Sequence, residues 1–506
     1  MTRIRQCKPV LGVVVAMAVA GPGESLSLAQ SENVLIILAD DLGVDVLECY
    51  AEGSTFPPTP TIDMLCASGV LFRNAWSNPV CSPTRATIQT GRYGFRTGVG
   101  GVVRKFSHEG LPFSETTIPE VLDLNPSLGY AHAAIGKWHL TSDPQGGDDG
   151  PNLSGYGHFA GTMYNLDDYF LWPKTVNGET AYTEVYATTD QVNEAIAWIN
   201  DRGASPWFVY LAFNAPHGPA HWPPKELHSY DLDGPPSSLV KFQATVEAMD
   251  TEMGRLLASI SEEVLERTTV IFLGDNGTGH IVVEPPFDPE HDKGTLYDGG
   301  INVPLIISGP QVVSPGSESS VLVNTTDLFA TTLELLGVDV KASLPPGIVI
   351  DSRSVLPVLQ GQRFDPRPFA YADFFRPMAG DDMGQAIRNT LGFKLIRFIT
   401  HAEEFYDLAN DPFEAMDLLL GDLDPIQQAN FDALTLELDT LTASVCQGDA
   451  NNDGTVDPLD TGFVLARFGC SVGTGDPTCD VADQNGDGAV DPLDSGFVLA
   501  RFGECP

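Results

Sequence analysis

Three apolar runs in this chain each end abruptly in polar side chains, and that pattern restricts the fold more than any other feature. Val34 to Ala39 runs into Asp40-Asp41, Trp207 to Phe213 into Asn214-Ala215-Pro216-His217, and Thr269 to Leu273 into Gly274-Asp275-Asn276. An apolar run without alternation is the signature of a strand covered on both faces. Amphipathic stretches at Thr188 to Ile199 and Leu239 to Ile260 lie between the runs. Alternation of this kind predicts a layered α/β fold. Ligands in such folds collect beyond the carboxyl ends of the strands, where this chain places Asp40, Asp41, Asp275 and Asn276. These are hard oxygen donors, suited to Ca²⁺ or Mg²⁺ and not to zinc.

A second region is shorter in period. Phe369 to Tyr371, Lys394 to Phe398 and Glu404 to Leu408 are β-rich runs separated by turns, and a polar amphipathic stretch to about Leu441 follows. The pattern predicts a small antiparallel sheet with a helix. Charge excludes a partner class: 27 Lys and Arg against 68 Asp and Glu give a net charge of -41, which argues against nucleic acid. An anionic substrate would then need a locally cationic site. At the N-terminus, Arg3, Arg5 and Lys8 precede the short apolar run Val10 to Ala20, with small residues Ser27-Leu28-Ala29 before Gln30. This predicts a signal peptide over 1–29, a secreted, periplasmic or cell-surface protein, and no membrane span in the mature chain.

The tail is a duplication. Asp449 to Asp460 recurs as Asp483 to Asp494, and Gly-Phe-Val-Leu-Ala-Arg-Phe-Gly follows both copies unchanged. Positions 1, 3, 5, 9 and 12 of each loop are Asp449, Asn451, Asp453, Asp457 and Asp460, then Asp483, Asn485, Asp487, Asp491 and Asp494. Gly454 and Gly488 occupy the sharp turn at position 6, while Thr455 and Ala489 at position 7 would ligate through their carbonyls. This is calcium-loop spacing. Cys446, Cys470, Cys479 and Cys505 surround the copies. They predict two disulfides, formed in an oxidising compartment, with three connectivities open.

Cys81-Ser82-Pro83-Thr84-Arg85, continuing to Thr90-Gly91-Arg92, resembles the signature of the type I, formylglycine-dependent sulfatases of the alkaline-phosphatase-like superfamily. Gly136-Lys137-Trp138-His139-Leu140 resembles that family's second signature. Ala215-Pro216-His217, Lys293-Gly294-Thr295 through Val303-Pro304, Thr59-Pro60 with Asp63, and Tyr406-Asp407-Leu408 also fit, in the family's order, across roughly Asn33 to Leu420. Gln89, His132 and Asn302 depart from the usual residues, bearing on subfamily and substrate. In the tail, Asp at position 12 with one helix after each loop resembles a dockerin module, which implies a possible cohesin-like partner.

The resemblance implies a large mixed central sheet sandwiched by helices, a smaller C-terminal antiparallel sheet with a helix, then a small α-helical module. It places the catalytic domain at 30–345, the C-terminal subdomain at 346–445 and the dockerin-like module at 446–506. It implies sulfuric ester hydrolysis on a sulfate-ester substrate, expected to be a sulfated glycan. Cys81 would be oxidised to formylglycine by a formylglycine-generating enzyme. Its hydrate would attack sulfur, and its second hydroxyl would release sulfate. One catalytic Ca²⁺ would be bound by Asp40, Asp41, Asp275, Asn276 and the modified residue 81, with two more in the tail. Arg85 would orient residue 81, Lys137 and Lys293 would bind sulfate oxygens, His139 would support residue 81, and His217 would serve sulfate binding or the leaving group. His132, His158 and His280 read as hydrogen-bonded structural residues, and His221 as either pocket or loop. A phosphonate or phosphate ester hydrolase of the same superfamily, or an inactive calcium-dependent scaffold, are the alternatives.

Overall fold

The computed structural model describes residues 32–107, 109–231, 237–345, 347–375, 383–443, 455–456, 458–470, 479, 482, 489–492, 495 and 503–504. The expected signal segment 1–29, together with Asp449, Asn451, Asp453, Asp457, Asp483, Asn485, Asp487, Asp494, Cys446 and Cys505, lies outside them.

Ten strands form the central sheet: β1 (Asn33–Asp40), β2 (Gly69–Trp76), β3 (Ala131–Lys137), β4 (His158–Thr162), β5 (Trp172–Val176), β6 (Glu179–Thr183), β7 (Trp207–Pro216), β8 (Thr268–Gly274), β9 (Leu305–Ser308) and β10 (Ser317–Asn324). Their order is β10-β2-β9-β8-β1-β7-β3-β4-β5-β6. The three apolar runs are the neighbours β8, β1 and β7, paired in parallel, and every residue of each is buried. Burial on both faces explains why the runs do not alternate. β9 runs antiparallel to β2 and β8, so the sheet is mixed. Two apolar layers cover it. Leu35, Ile37, Val209 and Leu211 face helices Ala187–Arg202 and Ser238–Ser259, while Val34, Ile36, Phe208 and Tyr210 face the layer that holds helices Cys81–Thr90 and Asp327–Leu335.

The smaller sheet is antiparallel, β11 (Phe369–Phe374), β12 (Gly384–Asn389), β13 (Phe393–Phe398) and β14 (Glu404–Asp407), and helix Pro425–Ala443 packs on it. The sequence foresaw three of these strands and the helix, but not β12. A buried ion cluster fastens this sheet to the larger one. Lys394 Nζ on β13 donates to Asp298 Oδ1 at 3.0 Å, Glu414 Oε1 lies 2.6 Å from the same nitrogen, and Arg388 stands 3.5 Å from Asp298.

In the tail, helix Pro458–Leu465 follows the first loop. Backbone pairing is exchanged between the copies. Thr455–Val456 of the first pairs antiparallel with Gly503–Glu504 after the second. Val490 of the second bonds to Gly469 and Cys470 after the first. Cys470 is disulfide-bonded to Cys479, one of the three connectivities left open. A second disulfide, Cys49–Cys66, was not anticipated. No helix among the described residues is long and apolar enough to cross a membrane.

Candidate active site

The Cys81–Thr90 helix has no solvent face: all ten residues are buried, and besides Cys81 six of them are polar, namely Ser82, Thr84, Arg85, Thr87, Gln89 and Thr90. Buried polar groups must find partners, and here they tie the helix down. Ser82 Oγ accepts from Val103 N at 3.1 Å and Thr84 Oγ1 from Asn78 N at 2.9 Å. Cys81 occupies the first turn, where unpaired N–H groups favour an anion.

Arg85, one turn on, links three motifs. Nη1 donates to the Lys137 carbonyl at 2.7 Å, and Nη2 and Nε donate to Asp275 Oδ2 at 2.7 and 3.2 Å. Lys137 enters from the end of β3. Gly136 before it has φ +94°, and a Cβ there would lie 2.0 Å from the Ala212 carbonyl oxygen, so only glycine fits. Lys137 Nζ donates to Asp40 Oδ2 at 2.5 Å. His139 follows at φ 57°, with Nδ1 3.2 Å from Cys81 Sγ. Asp41 is also left-handed, φ 68°, with its N–H donating to Asp275 Oδ1 at 3.1 Å. Non-glycine residues held there cost about 1–3 kcal/mol each and gather at functional sites.

Asp41 also receives Asn276 Nδ2 at 2.9 Å and Lys293 Nζ at 2.5 Å, and His217 Nε2 stands 3.8 Å away. Thus Asp40, Asp41, Asp275, Asn276, Cys81, Arg85, Lys137, His139, His217 and Lys293 all meet at the carboxyl ends of β1, β3, β7 and β8. Electrostatics is tense in this cradle. Burial, then the Asp40 charge, pushes Asp275 up to about 6, and burial also raises Asp40. Burial pushes the same way on Asp41, but Lys293 and His217 override it and hold that carboxyl well below its usual range. Burial, then Lys137 and Arg85, lowers His139, and burial lowers His217.

The donors fit a metal ion. Asp40 Oδ1 and Asn276 Oδ1 are buried without a hydrogen-bond partner, a costly state unless something else occupies their lone pairs. Single donor atoms of Asp40, Cys81 and Asp275, and of Asp40, Asp41 and His217, lie within 4.8 Å of one another. The set of carboxylate and amide oxygens suits calcium.

Other predicted positions stand apart. His132 pairs with Asp123 at 3.0 Å, His158 with Glu194 at 3.2 Å, and His280 Nδ1 is 2.6 Å from Pro289 O. His221 stacks on Tyr169, ring centroids 4.0 Å apart. Two of the three departures share a partner: Gln89 Oε1 accepts from Tyr156 OH at 2.9 Å, and the His132 ring meets the edge of Tyr156. Asn302 instead bonds the β2 backbone at Ala75 and Arg73. In the tail, Thr455, Asp460, Ala489 and Asp491 are described in backbone, away from this cradle in sequence, with their loop partners outside the described residues. Sequence reading missed Tyr169, whose hydroxyl lies 2.6 Å from the Asn214 carbonyl and 2.7 Å from that of His217.

The chain matches the family described as Sulfatase over residues 32–338. It belongs to the sulfatase family. Residues 289–441, spanning the smaller sheet, match the C-terminal region of N-sulphoglucosamine sulphohydrolase. This sulfatase is similar to N-acetylgalactosamine-6-sulfatase of Canis lupus familiaris, 29% identical over 398 residues that cover 71% of this chain and 72% of that one. It is 28% identical to arylsulfatase A of Homo sapiens over 421 residues, 76% and 78% of the two chains. The fold is shared with Ps i-CgsB, solved in complex with k-i-k-neocarrahexaose, at a TM-score of 0.69 and 24% identity over 81% of this chain and 93% of that one. Membership makes the protein a sulfuric ester hydrolase.

Proposed function

We propose that this sulfatase removes sulfate from sulfated carbohydrates, with Cys81 as the precursor of its formylglycine nucleophile and Ca²⁺ held by Asp40, Asp41, Asp275, Asn276 and residue 81. The observation that carries the reading is the charge balance of the cradle. Asp40, Asp41 and Asp275 face Arg85, Lys137 and Lys293, so protein charges cancel and a divalent cation would leave a net positive site. That suits a sulfate monoester, whose leaving oxygen gathers charge as the bond breaks. When bound and formed, the ion would polarise a sulfate oxygen and the aldehyde hydrate would supply the attacking hydroxyl.

The protein's own groups divide the remaining work. Lys293 stands at the open side of Asp41 and can reach a sulfate oxygen, whereas Lys137 is enclosed and holds Asp40 in place beneath. His139 braces residue 81 as a neutral ring, since burial and two cations disfavour its charged form. His217 Nδ1 is 2.8 Å from Gly218 O, so Nδ1 carries the hydrogen and Nε2 is left to exchange a proton at the leaving oxygen. The carbohydrate assignment draws on the names of similar proteins, an N-acetylgalactosamine-6-sulfatase and a protein bound to a neocarrahexaose.

Export through the N-terminal segment 1–29 agrees with two disulfides. The tail loops would bind two further Ca²⁺ ions and dock a cohesin-like partner, keeping the enzyme near a polymeric substrate. The domain limits 30–345, 346–445 and 446–506 belong to the same reading. Mass spectrometry of the Cys81 peptide from the native host, with sulfate release assayed on sulfated oligosaccharides and on paired aryl sulfate and aryl phosphate, tests it. Aldehyde at residue 81 with faster sulfate than phosphate release is expected, together with loss of at least about a thousandfold in Cys81→Ala. Unmodified cysteine, or faster phosphate release, would sink the proposal.

A further inference from the structure

Beside His217 lies a cavity of about 360 Å³ that the proposed chemistry does not use. Its volume is typical of small-molecule sites, about 300–1,000 Å³. Three segments build it: Pro216 at the end of β7 with Pro219 in the turn that follows, Phe242 on helix Ser238–Ser259, and Ile281 with Val282 after β8. Asp41 lines it as well, so it opens directly onto the cradle.

We propose that this cavity receives the ring bearing the scissile sulfate and selects rings that carry no second anionic group. The inference rests on the sulfatase reading above and names the substrate class within it. The wall is mostly apolar, and among the described residues that line it only Asp41 and His280 carry ionisable side chains. Among the described residues, the ammonium groups nearby are already engaged, Lys293 on Asp41 and Lys137 on Asp40. Lys241 adjoins Phe242 on the helix, but it is absent from the lining and its charge acts on His221.

The two segments that flank the cavity in sequence add no cation. Between Arg267 and Lys293 there is no Lys or Arg, and the segment after Ile281 contributes Glu284, Asp288 and Glu290. Between Lys225 and Lys241 there is none either, including residues 232–236. A second sulfate or a carboxylate placed here would lose water and meet no Lys or Arg in the lining to replace it. An uncharged ring instead gains apolar contact with Phe242 and Ile281. Discrimination of roughly tenfold to a hundredfold in kcat/KM is expected.

The test compares full-length, matured enzyme on a monosulfated hexoside and the same hexoside carrying a second sulfate, with an aryl sulfate as the common reference. Ile281 is 78% exposed, so substitutions there spare the fold. The wild type should favour the monosulfated compound at least about tenfold. Ile281→Lys should narrow that ratio by about tenfold, chiefly through KM for the disulfated compound, and Ile281→Ala should raise KM for both compounds while keeping the ratio. Aryl sulfate turnover with a ratio near one, or a ratio that Ile281→Lys leaves unmoved, overturns the inference and leaves the sulfatase reading standing. Matured enzyme that releases sulfate from none of the three compounds overturns both.

Discussion

Asp275→Asn should stabilise the metal-free protein and lose that advantage in calcium. In the metal-free protein, burial and Asp40 outweigh the pull of Arg85 and Lys137 and lift the Asp275 carboxyl from 3.8 to about 6. Two units correspond to about 3 kcal/mol. Because the folded value lies above the unfolded one, the stability this group contributes is complete below 3.8 and is lost as pH rises through about 6. The isosteric amide never ionises, so in chelator at pH 8 the variant should be more stable than wild type, by up to about 3 kcal/mol. That gain should vanish near pH 4. Calcium cancels that advantage. At a thousand times its Kd the ion adds about 4 kcal/mol to wild type, and a hundredfold weaker site retains only about 1.4 kcal/mol of that. Both chains carry the same tail, so their difference reports on the cradle alone. Urea unfolding at pH 4 and pH 8, in chelator and in calcium, measures all four states. A variant less stable than wild type in chelator at pH 8, or an equal calcium gain in both proteins, would refute the reasoning.

Lys394→Met should cost about 3–5 kcal/mol at neutral pH, because Asp298 and Glu414 lose the cation between them. Thermal unfolding of Lys394→Met/Glu414→Gln should recover part of the loss, and a double variant no better than the single one would argue against the cluster. Glu194 is pulled down to about 2, first by the His158 hydrogen bond and, against burial, by Lys174. Its contribution is present above 4.5 and fades as pH falls through about 2. Wild type should therefore outlast Glu194→Gln above pH 4.5 and converge with it towards pH 2, read by acid titration of the far-ultraviolet signal.

The parts of the fold that announced themselves were those under the strongest solvation constraint. β1, β7 and β8 are enclosed on both sides, so nothing polar interrupts them. β6 is the opposite case: four of its five residues are exposed, and such a strand has no apolar run to read. β12 is six residues long and carries Gln385, Arg388 and Asn389, so it offers no apolar run to read. β9 spans only four residues, too few to give direction, so the mixed character of the sheet came from the family resemblance. Candidate site residues were readable because short motifs carried them. Tyr169 was not, since its tie to Asn214 spans 45 residues and obeys no spacing rule. Nor was Cys49–Cys66, since cysteine spacing alone does not pair cysteines. For Lys137, the resemblance implied a ligand of sulfate oxygens, and nothing in the sequence announced its pairing with Asp40.

The exchanged pairing in the tail makes its two copies mutual templates. Among the described residues, the short β-segment of each copy pairs with backbone that follows the other copy, so each copy supplies part of its twin's hydrogen bonding. A gene that lost one copy would encode an orphan with an open strand edge, inviting pairing with another molecule's orphan. Duplication here is a lock as well as a repetition: the backbone bonds that close one half are supplied by the other.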